Sequence, residues 1–213
     1  MMALGLESNA PNFKAITTSG PIDFHNWLGD AWGLLFSHPE DYTPVCTTEL
    51  GAVAQLEKEF SDRNVKAIAL SVDSLESHHG WKVEIEKSMN VKIGFPIIAD
   101  EDAKIAQLYG MIHENSSSTH TIRSVFVIGA DKKIKLHLTY PMSVGRNFDE
   151  ILRVIDALQL SCQHQVVTPA NWNQGDNVIV DVSLSDDEAK ELYPYESSEE
   201  ASYLRFTPNP SSD

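Results

Sequence analysis

Two near-continuous apolar runs stand out along the chain and predict buried strands. Residues 31–36 read Ala-Trp-Gly-Leu-Leu-Phe, and residues 65–72 read Val-Lys-Ala-Ile-Ala-Leu-Ser-Val. Such runs are typical of a sheet whose two faces are both covered. Between them, apolar residues recur at steps of three and four and predict one face of a helix: Leu50, Val53, Leu56 and Phe60. The chain therefore begins its core as strand, helix, strand.

The remaining pattern extends this alternation. It predicts a helix over 74–88, a short strand over 95–98, a helix over about 101–109 capped by Asp100, a hairpin of residues 123–128 and 135–140, and a last core helix capped by Asn147 with Ile151, Leu152, Ile155 and Leu158 on its inner side. Alternating strands and helices, followed by a hairpin and a closing helix, predict an α/β fold. We expect a mixed sheet sandwiched by helices.

The composition changes near residue 163, which predicts a main domain of residues 1–162 and a smaller C-terminal arm of residues 163–213. Within the arm, residues 178–182 predict a strand and Asp186 opens a short acidic helix. Its apolar anchors are few: Trp172, Tyr193, Tyr203, Leu204 and Phe206. A segment this sparse is too small to fold alone, so we expect it to pack on the main domain or on a second subunit.

Composition excludes several classes of function. The chain has 213 residues, 42% of them hydrophobic and 22% charged, and a formal net charge of -15. Nucleic acids and anionic membranes attract clustered Lys and Arg, and this acidic chain shows no such cluster. We find neither a membrane-spanning apolar run nor a secretory signal pattern, and two cysteines are too few for a disulfide scaffold. These features predict a cytoplasmic protein without a membrane anchor.

Cys46 is the residue most suggestive of chemistry. It lies where the first apolar strand gives way to the predicted helix. Backbone N–H groups at a helix N-terminus favour the thiolate, which is the nucleophilic form of the side chain. Thr43, three residues earlier, can offer its hydroxyl to whatever the sulfur attacks. The alternative is a structural cysteine, because free cysteine is among the most buried residue types. Position alone leaves both readings open.

Several separated motifs together resemble one protein family, and this resemblance favours a reactive Cys46 over a structural one. The pattern Pro39-x-x-x-Thr43-x-x-Cys46, with Arg123 opening a later strand, resembles the active site of the peroxiredoxins. The longer strings at residues 36–39, 43–49 and 145–153 resemble the one-cysteine, peroxiredoxin-6-like branch of that family, and the likeness extends over essentially the whole chain. It implies a thioredoxin-like fold. It also implies reduction of hydrogen peroxide and organic hydroperoxides, those of phospholipids included.

The resemblance also implies roles for individual residues. Cys46 would attack the peroxide and become a sulfenic acid. The other catalytic residues would be Thr43, Pro39 and Arg123, and the supporting residues His38, Glu49 and Arg146. Arg123 carries a permanent charge on a rigid fork of donors, which suits it to contact both the sulfur and a peroxide oxygen. Glu49 and Arg146 would orient Arg123, or they form an ordinary ion pair. His38 would hydrogen-bond near the sulfur or only line the mouth of the pocket.

One departure from the commoner two-cysteine peroxiredoxins indicates how the enzyme is regenerated. Their resolving cysteine lies in a Val-Cys-Pro-Ala-x-Trp string, where this chain has Thr168. Cys162 lies outside that motif and is predicted to be a bystander. An external thiol must then reduce the sulfenic acid through a mixed disulfide. The resemblance suggests glutathione as this reductant, no bound cofactor, and a homodimer with the arm at its interface.

The sequence gives less support to three other functions: a lipase, a metal-binding protein and a redox sensor. Relatives in this branch can carry a lipase site in a Gly-x-Ser-x-Gly string, but here Ala31 replaces the serine, and a methyl group cannot be acylated. His25 and Asp131 remain at the matching places of that triad. The eight histidines show no metal-ligand spacing, so we expect no metal site. A redox sensor or chaperone-like dimer controlled by Cys46 oxidation is the alternative to an enzyme, and it would give a stoichiometric burst instead of turnover.

Overall fold

The computed structural model describes residues 4–113, 115, 119–198 and 201–211. By its internal contacts the chain divides into two compact units, Met1–Phe148 and Asp149–Asp213. The boundary predicted from the sequence, after residue 162, differs from this division by one helix and stays a prediction.

The first unit contains a seven-stranded sheet with helices in its connections. Its strands are β1 (Lys14–Thr17), β2 (Gly20–Asp23), β3 (Trp32–Ser37), β4 (Val65–Ser71), β5 (Ile97–Ala99), β6 (Arg123–Ile128) and β7 (Ile134–Tyr140). Its helices are α1 (Phe24–Leu28), α2 (Pro44–Gln55), α3 (Glu57–Asp62), α4 (Leu75–Met89) and α5 (Lys104–Leu108).

The sheet is mixed, as predicted. Its strand order is β2-β1-β5-β4-β3-β6-β7, with β3, β4 and β5 parallel and the outer pairs antiparallel. The central strands β3, β4 and β6 are buried along nearly their whole length, which explains why they read as continuous apolar runs. The predicted α/β fold with a mixed sheet flanked by helices is confirmed.

The helix that carries Cys46 is shorter than its apolar pattern predicts. Thr43 is its N-cap in extended conformation, and Pro44 occupies the first helical position, where a missing N–H costs nothing. Instead of continuing to Phe60, the helix ends at Gln55, and Leu56, with a ψ of 7°, separates α2 from α3. The apolar face is preserved across this break, since Leu50, Val53 and Phe60 are all buried.

Two further predictions differ in their details. The helix opening at Ser74 is confirmed, because the Ser74 hydroxyl accepts a hydrogen bond from the N–H of Ser77. The next helix, α5, begins at Lys104 instead of 101, since Ala103 adopts a left-handed φ of 56°. Asp100 still receives N–H groups of that helix, from Ile105 and Ala106. Its capping role is therefore correct although the helix starts later.

The second unit combines two helices with a small antiparallel sheet. Its elements are α6 (Phe148–Gln163), β8 (Val166–Val167), β9 (Val178–Val180), α7 (Asp186–Leu192), β10 (Glu196–Ser198) and β11 (Ala201–Thr207). The strand order is β10-β11-β9-β8. A capping box between Ser185 and Glu188 opens α7 at Asp186, as predicted. The strands β8, β10 and β11 were not predicted. The first two are short edge strands, which give little periodic signal, and β11 is exposed along most of its length.

The predicted anchors of the arm differ in their burial. Trp172 is buried against Leu160, Val166 and Val178. Tyr203, in contrast, is 70% exposed, and Leu204 and Phe206 on the same strand are also exposed. Among the helices of the described residues, none combines the length and apolar character needed to cross a bilayer.

Candidate active site

Cys46 lies in the first turn of α2 and has no exposed surface. The loop of residues 38–43 connects the buried strand β3 to this turn. The first N–H groups of a helix have no partner within the helix, so they are available to a group held at this end. The sequence alone predicts this position for the thiol, because the strand-to-helix boundary is visible in the apolar pattern.

Arg123 reaches the sulfur because of the sheet topology. It is the first residue of β6, which runs antiparallel to β3, with Phe36 paired to Val125. The start of β6 therefore lies beside the end of β3, from which the Cys46 loop departs. The Arg123 Nη1 atom donates to the Cys46 Sγ atom at 3.3 Å. The pairing of β3 with β6 thus brings together Cys46 and Arg123, which are 77 positions apart in the sequence.

The guanidinium of Arg123 is held on two further sides. Its Nε and Nη2 atoms donate to the carbonyl oxygen of Met142 at 2.9 and 2.7 Å. Its Nη1 atom also donates to Glu49 Oε2 at 2.7 Å. Glu49 lies one turn after Cys46 on α2, so one helix supplies both the sulfur and the carboxylate that orients the guanidinium. These contacts hold the Arg123 guanidinium in its orientation without a bound substrate.

Glu49 is shared with a second buried arginine. Arg146 donates to Glu49 Oε1 from its backbone N and its Nε, both at 2.9 Å, and to Oε2 from Nη2 at 2.7 Å. Its Nη1 atom donates to the carbonyls of Ser37 and Ser124 at 2.8 and 2.9 Å. Its guanidinium also packs on the ring of Phe36, 5.2 Å from the centroid. The structure therefore brings Glu49 and Arg146 together with Arg123, and their orienting role stays a prediction.

These contacts determine the electrostatics of the site. Burial alone would raise the pKa of Glu49, but the charge and hydrogen bonds of Arg146, helped by Arg123, outweigh it and lower that pKa. Burial lowers the pKa of the Arg146 guanidinium, although Glu49 opposes the effect. Two guanidiniums and one carboxylate leave one net positive charge. Because this charge is buried beside the sulfur, it attracts negative charge that develops there.

Thr43 and Pro39 occupy the loop that precedes the helix. The Thr43 hydroxyl donates to the carbonyl of Glu40 at 2.8 Å, which leaves its oxygen lone pairs available to accept a hydrogen bond. Pro39 is buried, whereas Glu40 is exposed. Between them and the helix, Tyr42 adopts a left-handed φ of 55°, which makes the tight turn into Thr43.

His38 lies in a network that sequence reasoning missed. It is completely buried, and its Nε2 atom contacts Asp41 Oδ1 at 2.9 Å. The other oxygen of Asp41 contacts Nδ1 of His78 at 2.8 Å. His38 therefore has no exposed surface, its described side-chain hydrogen bond goes to a carboxylate, and its role at the site stays a prediction. No sequence signal could link Asp41 to His78, which is 37 residues away on α4.

The described contacts of the Cys46 site do not include the remaining candidates. Cys162 is exposed on α6, and both described cysteines are free thiols. The residues of the lipase string make other contacts: His25 Nε2 pairs with the Ala10 carbonyl at 2.9 Å, and Asp131 pairs with Lys135 at 2.9 Å. Ala31, in place of the serine, is buried.

Comparison with known families identifies the class to which this fold and site belong. Residues 6–137 match the model of the AhpC/TSA family, and residues 157–195 match the C-terminal domain of 1-Cys peroxiredoxin. A 1-Cys peroxiredoxin of Dictyostelium discoideum is 50% identical over 200 residues, which are 94% of this chain and 83% of that protein.

Solved structures agree with this class. A cysteine-to-serine mutant of the peroxiredoxin 6 of Arenicola marina is 47% identical, covers 99% of this chain and 100% of its own, and superimposes with a TM-score of 0.93. A yeast mitochondrial 1-Cys peroxiredoxin, whose thiol resolving mechanism runs via glutathione/thioredoxin systems, is 51% identical over 96% of this chain and 99% of its own, with a TM-score of 0.91.

The chain therefore belongs to the peroxiredoxin family, in the 1-Cys branch that includes the peroxiredoxin 6 proteins. Members of this family are thiol-dependent peroxidases, and this oxidoreductase activity is the one the chain carries. The family assignment made from the Pro39, Thr43, Cys46 and Arg123 pattern is confirmed.

Proposed function

We propose that the protein reduces hydrogen peroxide and organic hydroperoxides, those of phospholipids included, with Cys46 as the attacking sulfur. The observation that carries this assignment is the 3.3 Å contact between Arg123 Nη1 and Cys46 Sγ inside a buried site. A thiolate next to a fixed guanidinium is prepared to attack a neutral peroxide. The same guanidinium can stabilise the charge that moves to the leaving oxygen.

In the first step, the Cys46 thiolate attacks one peroxide oxygen. A sulfur–oxygen bond forms as the oxygen–oxygen bond breaks, and the second oxygen leaves as water or an alcohol after it takes up a proton. Cys46 becomes a sulfenic acid. We assign Arg123 to the leaving oxygen and the sulfur, the Thr43 oxygen to the peroxide proton, and Pro39 to the exclusion of water. Glu49 and Arg146 hold Arg123 in place and do not touch the peroxide.

An external thiol then restores Cys46. It condenses with the sulfenic acid to a mixed disulfide and water, and a second thiol releases Cys46 by exchange. Glutathione is our proposed reductant; the yeast relative supports this choice, as does Thr168 at the place of a resolving cysteine. Since Cys46 is fully buried, any reactant needs an opening around the sulfur, and a tripeptide needs a wider one than a peroxide.

We further propose a homodimer in which the arm contributes to the interface. Exposed apolar residues on β11, foremost Tyr203, support this proposal, because such patches often mark protein contacts. A cytoplasmic location is proposed on the composition alone.

The direct test of the proposed cycle is a peroxide-consumption assay with the reductant varied. With glutathione supplied in excess, we expect many moles of peroxide to be consumed per mole of enzyme, at a rate that rises with glutathione concentration. One equivalent of peroxide consumed, with no further turnover under glutathione, thioredoxin or a small dithiol, would refute the cycle. Turnover with thioredoxin alone would keep the peroxidase but replace the reductant.

A further inference from the structure

A buried carboxylate lies within the loop of residues 38–43 that leads to Cys46, and the proposed mechanism does not use it. Asp41 is 4% exposed and receives three side-chain groups. His38 Nε2 contacts its Oδ1 at 2.9 Å, whereas His78 Nδ1 and Ser77 Oγ contact its Oδ2 at 2.8 and 2.7 Å. Its backbone N–H also donates to Asp73 Oδ2 at 3.1 Å. Asp41 is therefore the residue through which the loop is fastened to α4.

The hydrogen-bond partners determine where the protons lie. His78 faces an acceptor on each ring nitrogen, the Asp41 carboxylate at Nδ1 and the Ile98 carbonyl at Nε2, the latter at 3.1 Å. His78 is therefore held between the loop residue Asp41 and strand β5, with an acceptor at each end of its ring. Burial alone would raise the pKa of Asp41, but the hydrogen bonds from His38 and His78 lower it well below its usual range.

His38 completes the group as a neutral imidazole. Burial lowers its pKa, although Asp41 opposes the effect. With the hydrogen on Nε2 donated to Asp41, the Nδ1 atom keeps its lone pair and has no partner among the described residues. The His38 carbonyl in turn accepts the Thr121 hydroxyl at 2.6 Å. The two ends of the loop segment 38–41 are thus held from the residues just after β4, from α4 and from the residues just before β6.

The same three side chains could in principle bind a metal ion, since their donor atoms lie within 4.8 Å of one another. The hydrogen bonds argue for a different arrangement. His38 Nε2, His78 Nδ1 and both carboxylate oxygens of Asp41 already have hydrogen-bond partners. A divalent cation would have to displace the His78 proton and the Ser77 hydroxyl from Asp41.

We propose that Asp41 is a positioning residue for peroxide reduction, which holds the loop of residues 38–43 so that Thr43 and Pro39 meet the peroxide at Cys46. This proposal rests on the proposed function of Cys46 and adds residues that neither the sequence motif nor the site geometry around Arg123 includes. Asp41 acts through the loop and touches no reacting atom.

Two substitutions of Asp41 separate its geometry from its charge. Asp41→Ala removes every acceptor at the centre of the network. Asp41→Asn can rebuild it around a neutral His78: the amide oxygen accepts from His38, and the amide N–H groups donate to His78 Nδ1 and to Ser77 Oγ. A residue that positions the loop should therefore be replaceable by Asn but not by Ala.

The experiment measures two rate constants on each folded variant, far below its melting temperature. Stopped-flow mixing gives the rate constant of Cys46 with hydrogen peroxide, and iodoacetamide gives its rate of alkylation, which needs no peroxide geometry. For Asp41→Ala we expect the peroxide rate constant to fall about tenfold or more, since a displacement of ~1 Å can cost ~100-fold. The alkylation rate should not fall, and Asp41→Asn should recover most of the peroxide rate.

A matched control is His79→Gln, at the exposed histidine next to His78. It should leave both rate constants unchanged. If Asp41→Ala does not fold, His78→Gln replaces it, because glutamine cannot reach both Asp41 and Ile98, and it should lower the peroxide rate constant alone. If Asp41→Ala or His78→Gln reacts with peroxide at the wild-type rate, the proposal is overturned. It is also overturned if the peroxide and alkylation rate constants fall in equal proportion. Both outcomes leave the peroxidase assignment intact. Stoichiometric zinc in the purified protein, absent from Asp41→Asn, also overturns it.

Discussion

The conservative substitution Arg123→Lys keeps a positive charge at the site but removes the fork of donors. In the wild type, one guanidinium contacts the Cys46 sulfur at 3.3 Å, Glu49 at 2.7 Å and the Met142 carbonyl through two nitrogens. A lysine ammonium is a single point of charge, and it cannot hold these directions at once. Glu49 is the strongest competitor for it, so the ammonium should be drawn away from the sulfur.

The magnitude follows from what the guanidinium supplies in the transition state. Loss of one fixed donor to a developing oxyanion costs about 2.7–4 kcal/mol, or roughly 100- to 1000-fold in rate. We therefore expect Arg123→Lys to reduce the rate constant for hydrogen peroxide about 100-fold or more. Because the charge beside the sulfur is partly retained, alkylation by iodoacetamide should fall much less.

The assay is single-turnover stopped flow, with intrinsic fluorescence or residual peroxide as the signal. Arg153→Lys serves as the matched control, since Arg153 lies on α6 and its described hydrogen bonds go to Glu150 and to the Trp172 carbonyl. It should react at the wild-type rate. A rate constant for Arg123→Lys within about threefold of wild type would remove the oxyanion argument from the mechanism.

Three further outcomes are expected. Cys46→Ser should abolish peroxide consumption and Cys162→Ser should leave it nearly unchanged; turnover in the first, or collapse in the second, contradicts the 1-Cys assignment. Glu49→Gln should destabilise the fold by about 3–5 kcal/mol at neutral pH, because it leaves buried guanidiniums uncompensated. The folded pKa of Glu49 lies below its ordinary value of 4.5, so its contribution is complete above that pH and is lost as pH falls through the folded value. Denaturant melts of both proteins should therefore converge in acid, and a constant difference would be inconsistent with this reasoning. Sedimentation should give a dimer at micromolar concentration that Tyr203→Ser weakens, and a wild-type monomer rules out the proposed interface.

The sequence predicts much of this fold because its core elements are strongly periodic. The runs at β3 and β4 are buried on both faces, so they could be read without a structure. The break after Gln55 could not be read, since the apolar face continues across Leu56 and only the backbone turns. The strands β8 and β10 of the arm were missed for a different reason, because they are only two and three residues long.

In the active site, the residues that could be predicted had either a local sequence signal or a place in the family motif. Cys46 could be located from a strand-to-helix boundary, and the partners Arg123, Glu49 and Arg146 followed from the family resemblance. The Asp41 network could be predicted neither from a strand-to-helix boundary nor from the family resemblance. Its ion pair joins a loop residue to a helix residue 37 positions away, and its partner His78 looks like any surface-helix histidine until α4 packs against β5. Long-range polar pairs of this kind depend on tertiary packing, which a single sequence does not display.

The central claim is that one buried sulfur, held beside Arg123, takes an oxygen atom from peroxide and gives it up to an external thiol. Intact-protein mass spectrometry after one equivalent of hydrogen peroxide tests it most directly, with peptide mapping to locate the change. We expect the mass of one oxygen atom on Cys46, its disappearance as glutathione is added, and an unmodified Cys162. A protein that stays unoxidised at Cys46 while the peroxide persists, or that is oxidised at Cys162 instead, contradicts the account.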